Sequence, residues 1–159
     1  MQNINMTRTL ILTGMILLAA FSRLLPHPAN VTPLAAMALF GGVYFTGRKT
    51  AFAVPLCAML ISDIAISVLF DYRMLDAMRA VVYLCLAATV FIGFLLRGKV
   101  RFGSVAAASL SGSVLFFAVT NYAVWASGLN YPLNASGFAQ CYVAAIPFFR
   151  NTLAGDLFN

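Results

Sequence analysis

The sequence predicts an all-α polytopic membrane protein, a six-transmembrane-helix bundle forming a single domain over residues 1–159. Three observations carry that expectation. The composition is too apolar for a water-soluble core, the apolar runs approach bilayer length, and the basic residues fall on alternate sides of those runs.

Hydrophobic residues make up 62% of the chain and charged residues 9%, against roughly 45–50% and about 25% in an average soluble domain. So little polar residue cannot cover a soluble core of this size. Glu is absent, and Asp63, Asp71, Asp76 and Asp156 face ten Lys and Arg for a net charge of +6. A nucleic-acid surface would gather that charge on one polar face. Here it is scattered singly or in twos and threes between apolar runs, which excludes a nucleic-acid partner and implies a lipid one. Cys57, Cys85 and Cys141 lie in separate apolar runs without CxxC spacing, so they read as small buried hydrophobes rather than a disulfide framework. One His makes a conventional zinc site untenable.

The first predicted span, about Thr9–Leu25, stops at Pro26-His27-Pro28. It resembles a signal peptide in length, but further spans follow and no small-residue cleavage site does. The second, about Thr32–Phe45, is short, and at ~1.5 Å per residue covers roughly 20 Å of a ~30 Å hydrocarbon core. The third is about Thr50–Phe70, the fourth Met78–Leu96 and the fifth Gly103–Ser127. The sixth begins near Gly137 and is still running at Asn159, so the last helix is expected to be truncated.

The connections test this division. Arg8, Arg48, Lys49, Arg97, Lys99 and Arg101 all fall on one side, with no acidic residue beside them. The other side holds Arg23, His27, Asp71, Arg73, Asp76 and Arg79, then an uncharged connection from Gly128 to Asn134. The positive-inside rule then puts the N-terminus in the cytoplasm. The asymmetry collapses unless the short second run also crosses.

Polar groups inside hydrocarbon are costly and each wants a reason. Asp63, Tyr83, Cys85, Asn121, Tyr122, Trp125 and Arg150 are expected at a shared outer depth. With His27, Asn30 and Thr32 in the first connection they describe an outward-facing polar and aromatic patch, the convergence a ligand pocket needs. Plainer explanations stand beside that one. Asp63 and Arg150 can form a structural ion pair. Tyr83 and Trp125 suit an interfacial aromatic belt, Asn121 an interhelical hydrogen bond, and His27 an ordinary surface position. The stretches Ala35–Gly42 and Ala106–Ser113 are rich in small residues that let helices approach closely, chiefly for internal packing.

Two motif-like stretches carry nothing. GVYFTGRKT at 42–50 breaks the contiguous Gly-Lys-Ser/Thr of a phosphate loop with Arg48. The glycosylation triplets Asn30-Val31-Thr32 and Asn134-Ala135-Ser136 matter only in a secretory pathway. There is no Ser-His-Asp grouping and no HExxH. That is thin material for acid–base chemistry, and an enzyme is not expected.

Longer stretches carry a resemblance. SRLLPHPANVTP at 22–33 leads into ALFGGVYF at 38–45, and Val54-Pro55-Leu56, Ser62-Asp63, Thr120-Asn121 and YVAAIPFFRNT at 142–152 follow. Together they resemble a family of small bacterial membrane proteins. That family is similar to the S components of energy-coupling-factor vitamin transporters, nearest to the solitary cobalamin-binding subunits of the BtuM type. The likeness covers nearly the whole chain.

It implies a multi-pass protein of the bacterial cytoplasmic (inner) membrane that binds a vitamin at its outer face, cobalamin or a related corrinoid first. Release would be inward, by toppling, with an energy-coupling transmembrane subunit and its ATPases as partners. No intrinsic cofactor is implied, and cobalamin would be cargo. The S-component Ala-x-x-x-Ala docking pair has no counterpart here, where the first span offers only Gly14, Ala19 and Ala20. Cobalamin-binding relatives can ligate cobalt through a Cys thiolate, which makes Cys85 a candidate axial ligand, with His27 the other. The substrate-binding set is then His27, Asn30, Thr32, Asp63, Tyr83, Asn121, Trp125 and Arg150. The alternative is a structural or assembly membrane protein with no small-molecule ligand.

Overall fold

The six apolar runs become six α-helices in a computed structural model, which describes residues 2–24, 34–70 and 76–158. They are α1 Gln2–Ser22, α2 Leu34–Tyr44, α3 Arg48–Phe70, α4 Ala77–Leu95, α5 Phe102–Ala126 and α6 Ala135–Phe158. No strand occurs among the described residues. The expected boundaries hold to within a few residues except at the start of α1, which begins at Gln2 rather than near Thr9. A hydropathy window locates the apolar part of a helix, and a polar first turn can extend beyond it.

Helices α3, α4 and α5 are long and apolar enough to cross a membrane, and they mark the chain as a membrane protein. Their side chains agree. Val68, Leu84, Phe91 and Leu95 are each more than 60% exposed, an arrangement that lipid rewards and water does not. The apolar stretches Met6–Ser22 and Ala35–Tyr44 are shorter.

Helix α2 occupies the middle. It packs most extensively on α4 and also touches α1, α3 and α5, whereas α6 packs chiefly on α5. Small residues make this possible. A Cβ on Gly42 would come 2.9 Å from Gly93 Cα, and one on Gly93 would come 2.6 Å from the Leu39 carbonyl oxygen. The α2 and α4 backbones therefore meet directly, and neither position admits a side chain. Ala38 beside them is fully buried, so the expected internal use of this stretch is what the fold adopts. Pro55 interrupts the α3 hydrogen-bond ladder. Gly41 of α2 lies over that gap, against the Pro55 ring and the Ala51 carbonyl.

Local capping sets the helix ends. Asp76 Oδ1 accepts from Met78 N at 3.3 Å to start α4. Ser104 Oγ accepts from Arg101 N at 2.9 Å to start α5. Asn134 Oδ1 accepts from Gly137 N at 2.8 Å, so the Asn of the second triplet is the N-cap of α6.

Candidate functional site

The most concentrated polar chemistry joins α1, α3 and α4 at one end of the bundle. Asp63 is 2% exposed. An isolated carboxylate at that burial would be expensive, and both of its oxygens are satisfied. Arg23, one residue past α1, meets Asp63 Oδ1 at 2.9 Å. Arg79 meets Oδ2 at 3.2 Å, and the Tyr83 hydroxyl donates to the same oxygen at 3.1 Å. Arg23 also donates to Ser62 Oγ at 2.5 Å, and that hydroxyl donates onward to the Met59 carbonyl at 2.9 Å.

The local reasons are simple. Arg79 and Tyr83 are four residues apart, so they lie on one face of α4. Ser62 and Asp63 are neighbours on α3, and a turn bonded from Arg23 N to the Ala20 carbonyl at 3.2 Å brings Arg23 back over them. Two guanidinium groups and one carboxylate leave the cluster with one net positive charge. Arg23 and Arg79 keep side-chain exposures of 13% and 18%, so the surplus charge sits towards the end of the bundle.

Asp63 therefore does not pair with Arg150. Helix α6 starts at Ala135, which places Arg150 fifteen residues on, roughly 22 Å along the axis and near the opposite end. Its side chain is exposed, so neither the expected shared depth nor the expected ion pair holds for it. Asp63, seven residues from the end of α3, is only about 10 Å from its own end. Its partners are Arg23 and Arg79, which the sequence places among the charges of the connections. Their signal was depth: each lies at the end of a helix, level with Asp63.

The rest of the expected patch divides around α4. Met78 and Val82 sit about 100° round the helix from Arg79 and Tyr83, and they line a groove of ≈ 270 Å³ with Phe117, Asn121 and Phe149 of α5 and α6. Asn121 Nδ2 donates within its own helix to the Phe117 carbonyl at 2.8 Å. Its backbone carbonyl receives the Cys141 thiol at 3.4 Å, so a main-chain group links α5 and α6 here.

Trp125 Nε1 donates to the Pro132 carbonyl at 3.1 Å, and its ring packs edge-on against Phe138 at 5.3 Å. Phe138 in turn stacks near Tyr142 at 4.6 Å, whose hydroxyl donates to the Ala118 carbonyl at 2.7 Å. Trp125 thus ties α5 to its following connection and to α6. Cys85 is 1% exposed and, two residues from Tyr83, faces about 200° away from it on the helix. His27, Asn30 and Thr32 lie outside the described residues. Among the described residues no three His, Cys, Asp or Glu side chains gather as a metal site.

The other end of the bundle uses arginine differently. The last carbonyls of α2 have no partner within the helix. Arg97 donates to the Gly42 carbonyl at 2.8 Å and the Phe45 carbonyl at 2.6 Å, with its guanidinium 4.4 Å over the Phe94 ring. Arg8 reaches the Tyr44 carbonyl at 3.2 Å.

Neither a curated protein nor a solved structure matches the chain. Residues 3–159 do match a family profile, so the chain belongs to the family of unknown function DUF6580.

Proposed function

We propose that this protein is an S-component-like, substrate-binding membrane subunit for vitamin uptake, with cobalamin or a related corrinoid held at the outer face. It works as a binder rather than an enzyme, in the cytoplasmic membrane of a bacterium, with six spans and a cytoplasmic N-terminus. The observation that carries the reading is the unequal length of α2 and its neighbours. Starting level with Arg8 at Tyr44, α2 rises roughly 15 Å to Leu34, whereas α1 rises roughly 22 Å from Arg8 to Arg23. The column above Leu34 is thus not filled by α2 itself. Beside it stand the Arg23–Asp63–Arg79 cluster and Tyr83. A corrin ring is large and apolar with amide arms, and it needs such separate hydrogen-bonding groups around an apolar floor. With Cys85 buried behind Tyr83, His27 is the better axial donor to cobalt.

An absorbance titration of the purified protein with cobalamin tests this. The expected result is a shift in the corrin bands that is lost in His27→Ala and kept in Cys85→Ala. No shift with wild-type protein at micromolar cobalamin ends the corrinoid reading. Orientation is tested separately. Lys99→Cys should resist an impermeant thiol reagent in intact cells, and labelling from outside would overturn the cytoplasmic N-terminus.

One observation favours the second reading, a structural or assembly protein with no ligand. Asp63 is closed and fully partnered, as a joint between helices would be. Under that reading neither cobalamin nor another vitamin binds, and Asp63→Asn lowers stability alone.

A further inference from the structure

At the basic end a pocket of ≈ 190 Å³ opens between α1 and the start of α3. Arg8 and Thr9 of α1, Thr46 of the connection and Thr50 of α3 supply its polar wall, and Leu12 and Tyr44 its apolar one. The volume is several times that of one water. The adjoining charge has one sign: Arg48 and Lys49 are exposed directly after Thr46 and Gly47, with no Asp or Glu in that connection. Of the five donors on a guanidinium, Arg8 gives one to the Tyr44 carbonyl.

The helix below the pocket continues the pattern. Ile11, Met15 and Leu18 follow Arg8 at spacings of three, four and three, so all four lie on one stripe of α1. Those three side chains are 59%, 52% and 73% exposed. A cation and hydroxyl groups at the pocket, with an open apolar stripe running away from them along α1, match a molecule with an anionic head and a hydrocarbon tail.

We propose that this pocket seats the phosphodiester headgroup of an anionic phospholipid, with an acyl chain along Ile11, Met15 and Leu18. Arg8 supplies a charge-assisted hydrogen bond to the phosphate, and the Thr46 and Thr50 hydroxyls supply neutral ones. The inference needs the basic end to lie at a membrane surface, and it is independent of whether the opposite end binds a vitamin.

Native mass spectrometry of the detergent-purified protein tests it, with phosphatidylglycerol, phosphatidylcholine or inorganic phosphate added in turn. Wild-type protein should retain phosphatidylglycerol in preference to phosphatidylcholine. Arg8→Gln should weaken that retention about fivefold, the worth of one basic residue at an anionic surface. Arg8→Lys should keep most of it, and Thr46→Val, on an exposed connection residue, should weaken it about twofold. Lys99→Gln, at the same end but outside the pocket, should leave it unchanged. Equal retention of phosphatidylcholine overturns the proposal, as does an equal loss in Lys99→Gln and Arg8→Gln. Displacement of phosphatidylglycerol by an equal concentration of inorganic phosphate would reassign the pocket to a free anion and overturn the lipid.

Discussion

At one end of the bundle two arginines converge on a buried carboxylate, and at the other two arginines converge on backbone carbonyls. The Asp63 cluster joins three helices through side chains alone, at 2.9 Å from Arg23, 3.2 Å from Arg79 and 3.1 Å from Tyr83. At the basic end Arg97 and Arg8 close the frayed end of one short helix, while the helices themselves are held by the direct Gly42–Gly93 contact. The same residue type thus serves opposite ends of a membrane bundle in different ways. Where a carboxylate is buried, arginine is needed to keep it from standing alone. Where carbonyls are orphaned, arginine replaces the next turn of helix.

The largest effect should come from making the two ends alike. Asp63→Ala leaves two arginines facing one another in a buried site, and removing one side of a buried ionic set typically costs 3–5 kcal/mol, so a loss of about 4 kcal/mol is expected. A thermal melt in detergent measures it. Replacing all three charges together, Arg23→Met with Asp63→Leu and Arg79→Met, should recover most of that loss. If the triple variant is no more stable than Asp63→Ala, the cluster is not the ionic joint described here.

Gly42→Leu attacks the other end through packing rather than charge. The α2 and α4 backbones must separate to admit the side chain, and overpacking of about 3 kcal/mol should appear in the same melt. A variant that melts with the wild type would mean the two helices do not meet at this point. Arg97→Ala should cost about 2 kcal/mol, since it releases two carbonyls from a charged donor. Lys99→Ala, two residues on and exposed, should stay within about 0.5 kcal/mol.

The smallest effect is expected at Arg150. Were it the partner of Asp63, Arg150→Ala would rank with Asp63→Ala. As an exposed residue near the opposite end, it should shift stability by no more than about 0.5 kcal/mol.

Much of the fold was legible in the sequence because lipid simplifies it. Backbone groups in hydrocarbon must bond within their own segment, so each long apolar run becomes a helix, and five of the six begin and end within a few residues of where composition changes. The charge asymmetry is likewise linear, a property of which connection holds which residue. Asp63 was legible as a buried group for the same reason, since its cost follows from its neighbours in the chain.

Its partners were not. Depth along a helix narrows which charges can meet, but the choice among them depends on how each helix is rotated and packed, which is not a property of the run that contains the residue. Depth separates Arg150 from Asp63, although both lie in apolar surroundings. Rotation separates Cys85 from Tyr83, which are two residues apart and on nearly opposite faces, and it divides Tyr83 from Asn121 across α4. Hydrophobic patterning along the chain dictates six helices, their order and the residues that must not face lipid alone. That Arg23 and Arg79 answer Asp63 follows from packing alone, because ion pairing falls away over a few ångströms and nothing else brings three helix ends that close.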